Sequence, residues 1–208
     1  CSIIPTFKLD TKIVILMHHR EQRLTTNTAA LACLALPNSE LHIRGLKSKP
    51  LFTEEIVSSE KNAVLLYPTP DALELTEELA STLPKPVTLV VPDGSWRQAR
   101  KVSTREAALK NLPRIKLSPG PPSFYQLRHS LHEENLSTFE AIARAIGILE
   151  GVEIQQKLEN LFLTMVERTL WSRGKLKAVD ALTKIPEAAF LASYLAGVAG
   201  GKARKTKS

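Results

Sequence analysis

Val87-Thr88-Leu89-Val90-Val91-Pro92-Asp93-Gly94-Ser95-Trp96-Arg97-Gln98-Ala99-Arg100-Lys101 is a β-branched apolar run that ends in an acidic, glycine-hinged turn and opens directly into a basic helix. Apolar residues from Val87 to Val91 suit a strand buried on both faces, and Pro92 followed by Asp93-Gly94 stops the ladder at its C-terminal end. In open α/β sheets, ligands bind at that edge. Ser95 stands where it can cap the next helix, whose first-turn N–H groups suit an anionic ligand group. The same residues also make a plain turn, a cap and a core anchor. Asp93, Ser95 and Trp96 therefore acquire functional meaning only from their company elsewhere in the chain.

Working outward, residues 11–17 (Thr-Lys-Ile-Val-Ile-Leu-Met), 41–44 and 62–67 read as strands, and 29–36 as a compact Ala/Leu helix entered through Thr26-Asn27-Thr28. Residues 71–83 have helical apolar spacing at Leu73, Leu75, Leu79 and Leu83, with Asp71 as the cap. A strand at 87–92, a helix at 96–110 and a short strand at 114–117 follow. This alternation predicts an α/β fold, a mostly parallel sheet with helices on both faces. Past the Pro/Gly loop at 118–123 the pattern turns helical: 137–149, then 152–171 after a break at Gly151, then 186–196 opened by Pro186.

The 208 residues suit a single domain over 1–196, with a basic tail at 197–208 expected to be disordered. The chain carries 28 basic and 21 acidic side chains, a net charge of +7 that falls to +3 without the four basic residues of the tail. That surplus favours a polyanionic partner, most simply nucleic acid. There is no apolar run of about 18 residues and no signal-peptide pattern, so a cytoplasmic protein is expected. The start at Cys1, without an initiator Met, points to a missing N-terminal piece. Two cysteines, Cys1 and Cys33, favour neither a disulfide nor a four-ligand zinc site.

Four clusters fall at expected strand ends or helix starts. The first is His18-His19-Arg20-Glu21 with Arg23 and Asn27; adjacent histidines cannot share a helical face, which disfavours a metal pair. Either a phosphate-positioning loop or a capped helix entry with solvated charges fits these residues. In the second, Arg97, Arg100 and Lys101 share one face of the basic helix, as a phosphate stripe or as a solvated face. The third, residues 118–128, is a proline-stiffened loop whose Tyr125 and Arg128 bracket a planar group or a phosphate, or else a surface loop packed down by Phe124. The last is a capping box, Ser137 with Glu140, preceded by Leu136 and carrying Thr138. The common dinucleotide, P-loop, hydrolase, zincin and redox motifs are all absent.

Taken in order, His18-x-x-Glu21, Thr26-Asn27-Thr28, Asp93-Gly94-Ser95-Trp96, Tyr125-x-Leu127-Arg128 and Leu136-Ser137-Thr138-x-Glu140-Ala141 resemble the DTW-domain family of tRNA-uridine aminocarboxypropyltransferases. The resemblance covers roughly residues 12–151. The family signature reads Asp-x-Thr-Trp where this chain has Asp93-Gly94-Ser95-Trp96, a change that keeps the hydroxyl and drops a methyl. The resemblance implies a SPOUT-like α/β sheet whose C-terminal part threads a trefoil knot. It also implies S-adenosylmethionine as co-substrate and transfer of its aminocarboxypropyl group to N3 of a uridine in tRNA, leaving methylthioadenosine.

On that resemblance Asp93 is the central acid, either a general base for N3 or an anchor for the donor's amino group. Tyr67, Pro68, Gly94, Ser95, Trp96, Leu117, Ser118, Tyr125, Leu127, Leu136, Ser137, Thr138 and Glu140 are expected around the donor. His18, Arg20, Arg23, Asn27, Arg97, Arg100, Lys101 and Arg128 are expected to meet the RNA. Many family members carry a Cys-rich zinc segment; Cys1 is at most its last ligand, and no metal is expected. A monomer is favoured, with the 152–171 helix packing internally or against a second chain. The alternatives are a SPOUT-like RNA methyltransferase, which would leave S-adenosylhomocysteine, and a non-catalytic RNA-binding module.

Overall fold

A computed structural model of the chain describes residues 4–46, 51, 53–58, 62–127 and 136–190, with backbone alone at 55, 58, 198–199 and 202–203. Six strands form one sheet: β1 (Lys12–His18), β2 (Ser39–Arg44), β3 (Ala63–Leu66), β4 (Leu73–Glu74), β5 (Thr88–Asp93) and β6 (Arg114–Lys116). Their order is β2-β1-β5-β3-β6-β4, and every neighbouring pair is parallel. The predicted α/β architecture is therefore what the chain adopts. Because all six strands run the same way, their C-terminal ends share one edge. Residues that follow His18, Leu66, Asp93 and Lys116 meet there despite their distance in sequence.

The alternation of side chains along a strand divides the core in two. Ile13, Ile15 and Met17 of β1 join Leu89 and Val91 of β5 on one face, against α1 (Ala29–Ala35), α6 (Thr138–Glu150) and α7 (Val152–Ser172). Val14, Leu16 and Val90 point the other way, toward α2 (Thr53–Ser58), α4 (Trp96–Arg105) and α5 (Ala107–Lys110). α7 buries Leu158, Leu161, Phe162, Val166 and Leu170 internally, and Phe162 stacks on Phe139 of α6 at 5.3 Å. This packing fixes α6 against the sheet, with its N-terminus at the shared edge. No helix among the described residues is long and apolar enough to cross a membrane.

Two expected helices are corrected. The 96–110 helix breaks at Glu106, which is extended (φ −73°, ψ 117°) because its carboxylate is drawn away to Arg44 and to the Thr53 hydroxyl. Over 71–83 only α3 (Glu77–Thr82) is helical, and its cap is Thr76, whose hydroxyl accepts from Leu79 N at 3.1 Å. Asp71 instead accepts from Arg114 at 3.0 Å, and Leu73–Glu74 pair with β6 as an edge strand. The short helix α2 had no clear periodic signal. Of the helix expected at 186–196, residues 187–190 are helical and the remainder lies outside the described residues. Of the basic tail, a two-residue antiparallel ladder joins Val198–Ala199 to Lys202–Ala203, and the rest also lies outside.

Candidate active site

β5 ends at Asp93, and the next three residues turn the chain into α4. Gly94 has φ +153°, and a Cβ there would lie 3.0 Å from both Cβ and Oε1 of Gln98, so the turn requires glycine. Ser95 then caps α4 through a reciprocal box: its hydroxyl accepts from Gln98 N, and Gln98 Oε1 accepts from Ser95 N at 2.7 Å. The cap aims Trp96 outward, where the indole is 46% exposed. Trp96 faces Tyr67 at the end of β3, with ring centroids 6.2 Å apart. Burial pushes the Tyr67 phenol up from its ordinary pKa, and the nearby Arg100 guanidinium partly opposes this.

Beneath this aromatic pair lies a cavity of about 420 Å³, a size typical of small-molecule sites at ~300–1,000 Å³. Leu66, Tyr67 and Pro68 line it from β3, Val91, Pro92, Gly94, Trp96 and Ala99 from β5 and α4. Lys116, the last residue of β6, and the following Leu117 to Pro121 make a third wall, and Leu136, Ser137, Thr138, Ala141 and Arg144 a fourth. Asp93 is buried between the lining residues Pro92 and Gly94, and the Thr138 hydroxyl donates to its Oδ1. Asp93 itself does not line the cavity; it stands behind the wall, joined to it by Thr138, which does, at the positive end of the α6 dipole.

Of the residues expected around a donor, the structure gathers Tyr67, Pro68, Gly94, Trp96, Leu117, Ser118, Leu136, Ser137 and Thr138 around this cavity. Four others stand behind it. Ser95 is occupied as a cap. Glu140, 2% exposed, accepts from Ser137 N, Ser123 Oγ and Phe124 N, which ties the 118–124 loop to α6. Tyr125 packs 5.8 Å from Phe162 and donates its hydroxyl to Thr26 O. Leu127 packs on the core. These four shape the cavity without lining it.

Of the residues expected at RNA, Arg20, Arg23, Arg97, Arg100 and Lys101 are exposed near the same edge. Asn27 is structural: its Oδ1 accepts from Ala30 N in the first turn of α1 at 3.0 Å, and its Nδ2 donates to Glu21 O and to the Met17 sulfur. His18 is tied to the α4 cap by Gln98 at 3.1 Å. Burial first, then His19, Arg44 and Arg20, hold its pKa below the ordinary 6.5. Arg128 and Cys1 lie outside the described residues. Sequence reasoning missed Lys116 and Arg144 in the lining. The signal for Arg144 was present, since it is the one basic side chain on α6 and lies three residues beyond Ala141 and six beyond Thr138.

A family model for the DTW domain matches residues 1–170. The chain is 31% identical over 159 residues to tRNA-uridine aminocarboxypropyltransferase 2 of Drosophila melanogaster, covering 74% of this chain and 62% of that protein. With the protein of the same name from Macaca fascicularis it is 27% identical over 158 residues, covering 72% and 52%. The chain therefore spans only about half to three-fifths of the length of these curated relatives. Among solved structures, the SAM-dependent rRNA:acp-transferase Tsr3 from Vulcanisaeta distributa shares the fold, with a TM-score of 0.52 at 18% identity over 90% of each chain. With the model match extending through the sheet and all four walls of the cavity, the chain belongs to the DTW-domain family.

Proposed function

We propose that this protein transfers the 3-amino-3-carboxypropyl group of S-adenosylmethionine to N3 of a uridine in tRNA, in the cytoplasm, with methylthioadenosine as the co-product. The observation that carries this is the cavity at the C-terminal edge of the sheet, lined by Trp96, by a glycine–proline loop and by Thr138, which donates to the buried Asp93 behind it. The names of the relatives support the same transfer, and so does the fold shared with an acp-transferase. The lining suits an elongated donor with a flat apolar half and a charged half.

When bound, S-adenosylmethionine supplies a sulfonium-activated γ-carbon as the electrophile. Asp93 anchors the donor's ammonium. The Thr138 hydroxyl orients the Asp93 Oδ1 for that contact. The α6 N-terminus receives the donor's carboxylate, where the helix dipole is favourable. Trp96 and Tyr67 keep water from the reacting end and offer the uracil an aromatic wall. Arg97, Arg100 and Lys101, with Arg20, Arg23 and Arg128, take tRNA phosphates, and His18 offers them a neutral N–H. The reading includes the trefoil knot, formed by the chain after β6.

The test is to incubate tRNA with the protein and S-adenosylmethionine and to analyse the digested nucleosides by mass spectrometry. An aminocarboxypropylated uridine is expected. A methylated nucleoside, or wholly unmodified tRNA, would overturn the reading.

A further inference from the structure

Resting on the transfer reading above, we propose that Arg144 is a specificity-determining residue for the nucleoside half of the donor. Thr138, Ala141 and Arg144 are spaced three apart on α6, and all line the cavity. Thr138 is committed to Asp93, so the reacting end lies at the first turn of the helix. Arg144 sits six residues further on, about 9 Å along the axis at ~1.5 Å per residue. The donor's two charged amino-acid groups are accounted for at the first end. Its purine therefore falls at the second.

The guanidinium is held in place there. Arg144 is half-buried, and its Nη2 donates to Pro121 O at 2.7 Å. Its Nη1 lies 2.9 Å from where a Cβ on Gly120 would stand, so this glycine makes room for the fork. The loop carrying Gly120 and Pro121 is also pinned by Ser118 Oγ to Glu74, and by Ser123 Oγ and Phe124 N to Glu140. Of the three side chains outside the loop that hold it, Glu74, Glu140 and Arg144, Arg144 alone lines the cavity. A planar, weakly hydrated cation fixed by one edge beside a glycine–proline wall suits a flat heteroaromatic ring, through stacking and edge contact. A lysine ammonium, a point charge without a plane, does not reproduce that surface.

Calorimetry on the wild type, Arg144→Met and Arg144→Lys with two ligands tests this. One is S-adenosylmethionine; the other is methylthioadenosine, which keeps the nucleoside half and lacks the amino-acid half. Both ligands are expected to weaken by the same factor, about tenfold, the size of one charge-assisted contact, while the KM for tRNA stays at the wild-type value. Gly120→Ala is expected to crowd the guanidinium and give the same joint loss, with the double variant no weaker than Arg144→Met alone. Weakening of S-adenosylmethionine alone would put Arg144 on the donor's carboxylate and overturn the proposal. So would a raised tRNA KM with unchanged ligand affinities, or no change in either ligand. Should Arg144→Met unfold, Arg144→Lys keeps the stem and charge and carries the same comparison. A wild-type protein that binds neither ligand would instead sink the transfer reading, and this proposal with it.

Discussion

The Thr138 hydroxyl, on the first turn of α6, donates to Oδ1 of Asp93 at the end of β5, joining positions 45 residues apart in the chain. The bond orients a carboxylate that is only 6% exposed, at the place where the donor's charged half is proposed to sit. Asp93→Asn keeps the shape and removes the charge. As an ammonium anchor, its loss should weaken S-adenosylmethionine about 100-fold, the cost of losing one partner of a desolvated charge pair. Calorimetry checks this, and near-wild-type affinity combined with a collapsed kcat would assign Asp93 as the base instead. Thr138→Val strips a donor from a buried oxygen and should cost about 1–3 kcal/mol of stability, read from urea unfolding.

Ser95 and Trp96 are neighbours with separable roles. Ser95→Ala breaks the capping box and should cost about 1 kcal/mol of stability, leaving donor affinity close to wild type. Trp96→Ala should do the reverse. The indole is 46% exposed, so stability changes little, while loss of a cavity wall should weaken the donor at least ~tenfold, in line with the large area an aromatic ring buries. Thermal melts and donor titrations on both variants check the contrast.

His18 is fixed as a neutral donor by the cap of α4. Gln98 Oε1 accepts from Ser95 N, which leaves its amide N–H to donate to His18 Nδ1, and Arg20 N–H points at the same nitrogen from 3.3 Å. The imidazole proton is therefore on Nε2. Burial, followed by His19, Arg44 and Arg20, lowers the folded pKa below the 6.5 of the unfolded chain, against an opposing pull from Glu21. The associated stability is then present above pH 6.5 and lost as pH falls from there through the folded value. Unfolding free energies measured on the two sides of that window should fall toward acid, and His18→Gln should flatten the fall.

Arg97, Arg100 and Lys101 are exposed on one helical face beside the cavity mouth. Replacing all three by Ala should weaken tRNA uniformly across sequences. It should also reduce the slope of log K against log salt by about 2–3, at ~0.7–0.9 for each phosphate no longer neutralised. Filter binding over a salt series reads the slope, and an unchanged slope would return these residues to a merely solvated face.

The parallel sheet was legible because β-branched runs such as Ile13–Met17 and Val87–Val91 are buried on both faces and stand between helical patterns. Local chemistry also announced its own geometry: Ser95 with Gln98 and Ser137 with Glu140 are both capping boxes, as their spacing requires. Tertiary competition was not visible. Glu106 leaves its helix for Arg44 and Thr53, and the Leu73–Leu75 stretch trades helical spacing for an edge ladder with β6. In the site, strand ends and the start of α6 placed nine expected residues around one cavity, since chain order and a shared edge suffice for that. Depth was not encoded. Tyr125 and Glu140 reach inward to the core and the loop instead of the cavity, and Arg144 reaches the cavity from a helix that otherwise reads as core.

The sulfur product released during turnover on tRNA tests the central claim most directly, because it records which carbon–sulfur bond of the donor was broken. Chromatography of the small-molecule fraction should show methylthioadenosine accumulating in step with modified tRNA and disappearing in Asp93→Asn. S-adenosylhomocysteine in its place would contradict aminocarboxypropyl transfer and make the protein a methyltransferase.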